Sequence, residues 1–142
     1  MRFIPCLILI LFAHAELTAQ PEYLVVGRGG GISGEVTQYR IQSNGKVYKG
    51  TGMADILYTQ KGKIGKSDAK KIYADFMTFP DTSFHHPGNV YYFVQFPGDS
   101  TDVRCTWGDP DYEVPELLGE LYRNAFGKIA KLKYKTVKKP VR

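Results

Sequence analysis

Stretches of alternating or continuous apolar residues predict a series of β-strands. Tyr23–Val26 is a continuous apolar run, and Glu35–Gln42 alternates β-branched or aromatic residues with polar ones. Asp55–Gln60 has a similar strand-like character. Val90–Phe96 and Thr101–Trp107 flank a Pro-Gly-Asp-Ser turn and predict a hairpin. Because that hairpin is the most hydrophobic part of the chain after its N-terminal region, we expect it to form the centre of the sheet.

A second hairpin is predicted around the segment Ser43–Lys46, which contains Asn-Gly between two strand-like runs. This dipeptide suits a type I′ turn, in which both central residues have a positive φ. With a two-residue loop, Ile41 faces Tyr48, and Tyr39 joins them on one face, which we expect to be the core face. Gly27–Gly34 then turns the first strand back onto the second.

Apolar residues at helical spacing predict two helices. Ser67 is a suitable N-cap for the first helix, and Pro80 ends it. The second helix begins near Pro115, whose fixed φ suits a first turn. It either continues past Gly127 or ends there with that glycine as its C-cap. The apolar positions are Ala69, Ile72, Tyr73, Phe76 and Phe79 in the first helix and Leu118, Tyr122, Ala125, Ile129, Leu132 and Thr136 in the second.

The order of these elements, β-β-β-α-β-β-α, predicts an α+β fold. We expect an antiparallel sheet of four to five strands with both helices packed on one face. Residues 20–127 are enough for a single domain with one core. Residues 128–142 are expected to be either an extension of the second helix or a basic tail.

The N-terminal residues have the pattern of an export signal. Met1-Arg2 precedes an apolar run over residues 3–12 that is too short to span a membrane comfortably. Cleavage is expected after Ala15 or Ala19, and Ala19 is preferred because it leaves a polar start at Gln20. We therefore expect residues 1–19 to be a cleaved signal peptide and the protein to be secreted or periplasmic. Cys105 is then the only remaining cysteine, and its strand position predicts a buried, unreactive thiol.

The positive charge of the chain is concentrated at its C-terminal end. The formal net charge is +5, and residues 128–142 contain seven basic residues and no acidic one. Such a segment is either a solvated tail or a surface for an anionic partner. Membrane contact is expected to be at most peripheral, and nucleic-acid binding is not expected. The candidate surface-binding residues are Lys131, Lys133, Lys135, Lys138 and Lys139.

Residues suited to catalysis or to metal binding are few. The glycines at positions 29, 31 and 34 match a dinucleotide-binding spacing, but the following residues predict a strand, whereas a nucleotide site needs a helix there. His85 and His86 are adjacent in a predicted loop, Asp81–Asn89, and neighbouring side chains of an extended segment point apart. Their spacing does not match a zinc site. We expect no catalytic residue, no metal and no cofactor.

Several motifs, taken in order, resemble the emfourin-like proteins. They are the GGGISG turn at Gly29–Gly34, the aromatic-to-proline end of the first helix at Phe76–Pro80, the tyrosine-rich strand Val90–Phe96, and the Pro-Glu-Leu-Leu start of the last helix at Pro115. Emfourin-like proteins are small inhibitors of thermolysin-like metalloproteases. This chain differs by its export signal, by a longer segment Lys46–Lys66 and by its basic C-terminus.

The resemblance implies a non-catalytic protein that binds a metalloprotease outside the cytoplasm. Inhibitors of zinc proteases commonly fill the catalytic cleft with a loop or a terminus, and the candidates here are the N-terminal segment of the mature chain, the turn Gly29–Gly34 and the loop Phe84–Asn89. The candidate partner-binding residues are Gly29, Gly30, Gly31, Ile32, Ser33, Phe84, His85 and His86. The alternative is a binding module for another ligand, retained at an anionic surface by its C-terminal lysines.

Overall fold

A computed structural model describes residues 23–141, which form one eight-stranded sheet and two helices. The α+β class is confirmed, but the prediction of four to five strands was too low. The predicted signal peptide, residues 1–19, lies outside the described residues. The elements are β1 (Tyr23–Gly30), β2 (Val36–Gln42), β3 (Lys46–Gly52), β4 (Leu57–Lys63), α1 (Lys66–Phe76), β5 (Phe84–His86), β6 (Val90–Phe96), β7 (Val103–Trp107), α2 (Glu116–Ile129) and β8 (Lys135–Val141).

The strand order is β5-β7-β6-β1-β2-β3-β4-β8. All neighbours are antiparallel except β5 and β7, which are parallel. The hairpin of β6 and β7 forms as predicted, but it does not occupy the sheet centre. That place belongs to β1 and β2, because β1 pairs with β6 on one side and β2 on the other.

Two segments expected to lie outside the sheet are edge strands. Phe84–His86, predicted as part of a loop, is β5, which pairs with Cys105–Trp107. Lys135–Val141, predicted as a helical extension or a tail, is β8, which pairs with β4. The chain turns back after Ile129 because Leu132 and Tyr134 pack on the core, and the Tyr134 hydroxyl donates to the Ile129 carbonyl at 2.7 Å. Helical spacing alone did not reveal this reversal.

The hairpin of β2 and β3, predicted around Ser43–Lys46, has a register one residue away from the predicted one. Gly45 has a φ of +89°. No residue other than glycine has a positive φ in the described part of the chain, so Asn44 lacks the positive φ that a type I′ turn requires at both central positions. The loop instead has three residues, with the Gly45 amide donating to the Gln42 carbonyl at 2.9 Å. Ile41 therefore pairs with Val47. Val47 is the core residue, and Tyr48 lies on the opposite face.

Both helices pack on one face of the sheet, as predicted, and share a single buried cluster with it. The helix N-cap of α1 is Gly65 and not Ser67, and no side chain caps this end. Pro115 is the N-cap of α2, close to the predicted start, and Gly127 lies inside that helix. The core-facing residues are Ala69, Ile72 and Phe76 of α1; Leu118, Leu121, Tyr122, Ala125 and Ile129 of α2; and Leu24, Val26, Tyr39, Ile41, Val47, Val94, Phe96, Val103, Cys105 and Trp107 of the strands.

The helices are short. They contain 11 and 14 residues, and neither of the helices in residues 23–141 has the length and apolar character needed to cross a membrane.

On the face opposite the helices, aromatic rings lie against glycines of the central strands. Gly27 of β1 pairs with Phe93 of β6, and a Cβ atom at Gly27 would overlap the Phe93 ring and lie 2.9 Å from the Cβ of Gln38. Phe93 is only 1% exposed, and the Arg104 guanidinium lies 4.4 Å from its ring centroid. Gly27 thus allows the ring to lie flat on the sheet.

We expect Gly27→Ala to lower the free energy of unfolding by about 1 to 3 kcal/mol, because the added Cβ atom would overlap the Phe93 ring and the ring or the strand must shift to admit it. Gly127→Ala is the matched control. A Cβ atom at Gly127 meets nothing within 4 Å, so that variant should gain about 0.5 to 1 kcal/mol from helix propensity. Urea unfolding measures both. Equal stabilities of the two variants would contradict the packing role of Gly27.

Candidate functional site

The two segments predicted to bind a partner meet at one end of the sheet. Gly30, the last residue of β1, pairs with Val90, the first of β6. The next amide, of Gly31, donates to the Asn89 carbonyl at 2.7 Å. Asn89 follows His86 by three residues. The glycine turn and the histidine segment are therefore joined through Asn89, although they are far apart in sequence.

The glycine turn is shorter than predicted. Residues 27–30 belong to β1, and the turn is confined to residues 31–35. Gly30 has a φ of +92°, and a Cβ atom there would overlap the Asn89 carbonyl oxygen. This position requires glycine both for its backbone conformation and for the close approach of the neighbouring chain. The end of β1 and the start of β6 are consequently packed backbone to backbone.

The segment after β5 is packed in a similar way. The Asp109 amide donates to the His86 carbonyl at 3.1 Å, and Gly88 lies directly against Gly108, leaving no room for a Cβ atom at either position. The connection between β5 and β6 and the turn that follows β7 are thereby fixed to each other at the same end of the sheet.

The side chains of His85 and His86 point away from each other. Successive residues of β5 face opposite sides of the sheet, as predicted for an extended segment. The His86 ring stacks on Tyr112 at 3.9 Å between centroids, with 13° between the planes. Phe84 packs on the same tyrosine at 5.2 Å. Among residues 23–141, no group of three or more His, Cys, Asp and Glu side chains could hold a metal ion.

Cys105 lies in the core, as predicted, and is fully buried. Its Sγ atom donates to the Thr82 carbonyl at 3.4 Å. Burial raises the pKa of this thiol to about 11. The thiol is therefore protonated at neutral pH, and it lacks the electropositive, accessible surroundings that a nucleophilic cysteine needs.

A small aromatic pocket opens beside the start of α2. It has a volume of about 280 Å³. Tyr122 forms its base, where its ring contacts Trp107 edge to face at 5.2 Å and its hydroxyl donates to the Gly27 carbonyl at 3.1 Å. Burial raises the pKa of Tyr122 well above its usual value. The lining residues are Tyr92, Trp107, Val114, Gly119, Tyr122 and Arg123.

Three exposed apolar side chains belong to the glycine turn and to the strand β6, which meet here. Ile32 is fully exposed at the tip of the glycine turn, Val90 is 47% exposed and Tyr92 is 37% exposed. Val90 and Tyr92 are two residues apart on β6 and share a face. We refer to Ile32, Val90 and Tyr92 as the apolar end. A groove of about 370 Å³ runs beside it, lined by Arg28, Gly29, Gly30, Ser33, Glu35, Thr37 and Val90.

The C-terminal lysines lie elsewhere, at the edge formed by β4 and β8. Lys131 and Lys133 precede β8, and Lys135, Lys138 and Lys139 belong to it. The sequence interpretation missed Lys61 and Lys63 of β4, which join them. The alternating Lys-Gly-Lys of β4 was the available signal, but only the pairing of β4 with β8 brings these residues to the C-terminal lysines.

The sequence interpretation also missed the aromatic pocket, whose residues come from β6, β7 and α2. No local spacing connects Tyr92 and Trp107 with Tyr122. Their proximity depends on the packing of α2 over β1.

Comparisons with known proteins add no family to this description: neither the protein-family models nor the curated proteins searched gave a match to the chain.

We expect alkaline pH to destabilise the fold. Burial raises the pKa of Cys105 from near 9 to about 11 and raises the pKa values of Tyr39, Tyr122 and Tyr134. Above about pH 9 the unfolded chain loses protons that the folded chain retains, so the free energy of unfolding falls as pH rises. Urea unfolding between pH 8 and pH 10.5 measures this. Tyr122→Phe should be less stable than the wild type at pH 8, and its free energy of unfolding should change less with pH. A wild-type free energy of unfolding that stays constant over this range would contradict the expectation.

Proposed function

We propose that this chain is a non-catalytic binding protein that docks a protein partner on its apolar end. The observation that carries this proposal is Ile32, a large apolar side chain left fully exposed at the tip of a turn. Burying such a side chain at an interface contributes about 1.5 to 3 kcal/mol. In protein interfaces the side chains that contribute most to affinity fill pockets of the partner, and the fully exposed Ile32 can be buried in this way.

The backbone beneath Ile32 supports the proposal because it is held in place. The Gly31 amide bonds to Asn89, and Gly30 packs directly on the same residue. A turn fixed before binding loses little conformational entropy when a partner orders it further. Val90 and Tyr92 extend the apolar surface from the turn along β6.

The surroundings of the apolar end indicate the chemistry of the partner. Arg28 and Glu35 line the adjacent groove, so an apolar centre is bordered by one positive and one negative side chain. Interfaces commonly combine an apolar centre with a polar rim. The partner is therefore expected to present an apolar recess with polar groups at its margin.

A thermolysin-like metalloprotease is the partner class that we propose first, because the chain resembles the emfourin-like inhibitors in the glycine turn that carries Ile32. In this proposal the turn enters the protease cleft and blocks it, and the chain itself performs no chemistry. The buried thiol of Cys105 and the separation of His85 from His86 are consistent with a non-catalytic role. With the signal peptide predicted at residues 1–19, we propose that this interaction takes place outside the cytoplasm.

The test is a titration of a thermolysin-like protease with the protein beginning at Gln20, following peptide hydrolysis. We expect stoichiometric loss of activity. Ile32→Asp should weaken inhibition by about 30-fold or more, corresponding to the loss of about 2 kcal/mol or more of apolar burial, and should leave urea unfolding unchanged.

Met77→Asp is the matched control, because Met77 is also an exposed apolar residue and follows α1, outside the apolar end. It should inhibit like the wild type. Equal losses from both variants would contradict a role for the turn, and no inhibition by the folded wild-type protein would overturn the protease assignment.

A further inference from the structure

A groove lined by lysines lies at the sheet edge formed by β4 and β8. Its volume is about 350 Å³. We call it the lysine groove and define it by Lys61, Lys63, Lys133 and Lys135, with Gly62, Thr136 and Val137 completing its walls. The strands β2 and β3 separate it from β1 and the apolar end. It is therefore a different surface from the proposed docking site.

The lysines of this edge are placed where they repel one another. Lys61 of β4 pairs directly with Lys135 of β8, and Lys63 pairs with Lys46 of β3. Like charges in directly opposite positions of neighbouring strands destabilise a sheet. No acidic side chain lines the groove among the residues described, and the ion pairs found within residues 23–141, Lys71–Asp75 and Lys128–Asp68, lie outside it.

We propose that the lysine groove binds a linear anionic polymer that carries phosphate groups. The polymer would neutralise the opposed lysines, for which the groove lining supplies no acidic partner; the Tyr48 ring, 5.8 Å from the Lys61 ammonium, offsets only part of the charge repulsion. Lysine ammonium groups bind phosphate as point charges and adapt to its position through their flexible stems. The Thr136 hydroxyl offers one further donor at the groove wall.

The shape and lining of the groove distinguish between sources of phosphate. A recess with lysines from two strands suits a chain lying along it better than the flat surface of a bilayer. No aromatic ring is among the lining residues, and single-stranded nucleic acids are usually held by bases stacked on such rings. A phosphate polymer without bases is the ligand that these features favour.

The first test measures binding of inorganic polyphosphate to the purified protein over a range of salt concentrations. Four lysine contacts predict that log Kd rises with log salt concentration with a slope of about 3. The double variant Lys61→Gln/Lys135→Gln should reduce that slope by about half and weaken binding about tenfold at low salt. The double variant Lys70→Gln/Lys71→Gln removes the same charge from the surface of α1 and should bind like the wild type. Equal losses from both double variants would overturn the site.

A charge reversal separates loss of binding from loss of folding. Lys135→Glu places an opposite charge across from Lys61, so its Tm should rise while polyphosphate binding is lost. Polyphosphate should raise the Tm of the wild type and not that of this variant, because only a ligand that binds the folded state stabilises it. A lower Tm for Lys135→Glu would contradict the proposed repulsion.

Two further ligands decide the source of the phosphate. Binding to vesicles containing phosphatidylglycerol, with the same lysine dependence and without polyphosphate binding, would overturn the proposal in favour of a membrane surface. Tighter binding of a thymidine oligonucleotide than of polyphosphate would overturn it in favour of single-stranded nucleic acid. If none of the three binds, the lysines serve only to keep the sheet edge from pairing with another chain.

Discussion

The pairing of β1 with β6 is the contact on which the rest of the molecule depends. It places β1 at the centre of the sheet, sets Phe93 over Gly27, and brings Gly30 against Asn89. The Tyr122 hydroxyl then attaches α2 to the same strand through the Gly27 carbonyl. The positions of the core, the aromatic pocket and the glycine turn consequently all depend on the pairing of β1 with β6.

The two proposed surfaces use different physical forces and lie on different parts of the sheet. The apolar end depends on burial of a few side chains on a backbone that is already fixed. The lysine groove depends on charge, and its strength varies with salt in a way that the apolar end does not. Because β2 and β3 separate the two surfaces, the two proposals do not exclude each other. Such an arrangement would concentrate the protein where its partner is found.

The sequence predicted the type and order of most elements, but it missed the register of the β2–β3 hairpin and the N-cap of α1 as well as several non-local contacts. The hairpin of β6 and β7, the start of α2 near Pro115 and the burial of Cys105 follow from periodicity and capping, which depend on neighbouring residues. The strands β5 and β8 were missed because three residues, Phe84–His86, give no period, and because the spacing of Ile129, Leu132 and Thr136 also fits a helix. The candidate loops were identified individually, but their meeting at Asn89 and the joining of Lys61 to Lys135 required the strand order.

The strand order also affects how quickly the chain reaches its native state. Gly30 and Val90 are 60 residues apart in sequence, yet they pair on the neighbouring strands β1 and β6. Forming this contact closes a loop of about 60 residues, and the entropy cost of that closure has to be overcome before the pairing stabilises the chain. Sheets dominated by distant pairings fold in milliseconds to seconds, more slowly than helical bundles of similar size. The time spent with β1 and β6 unpaired is the period in which the chain is most exposed to aggregation and proteolysis.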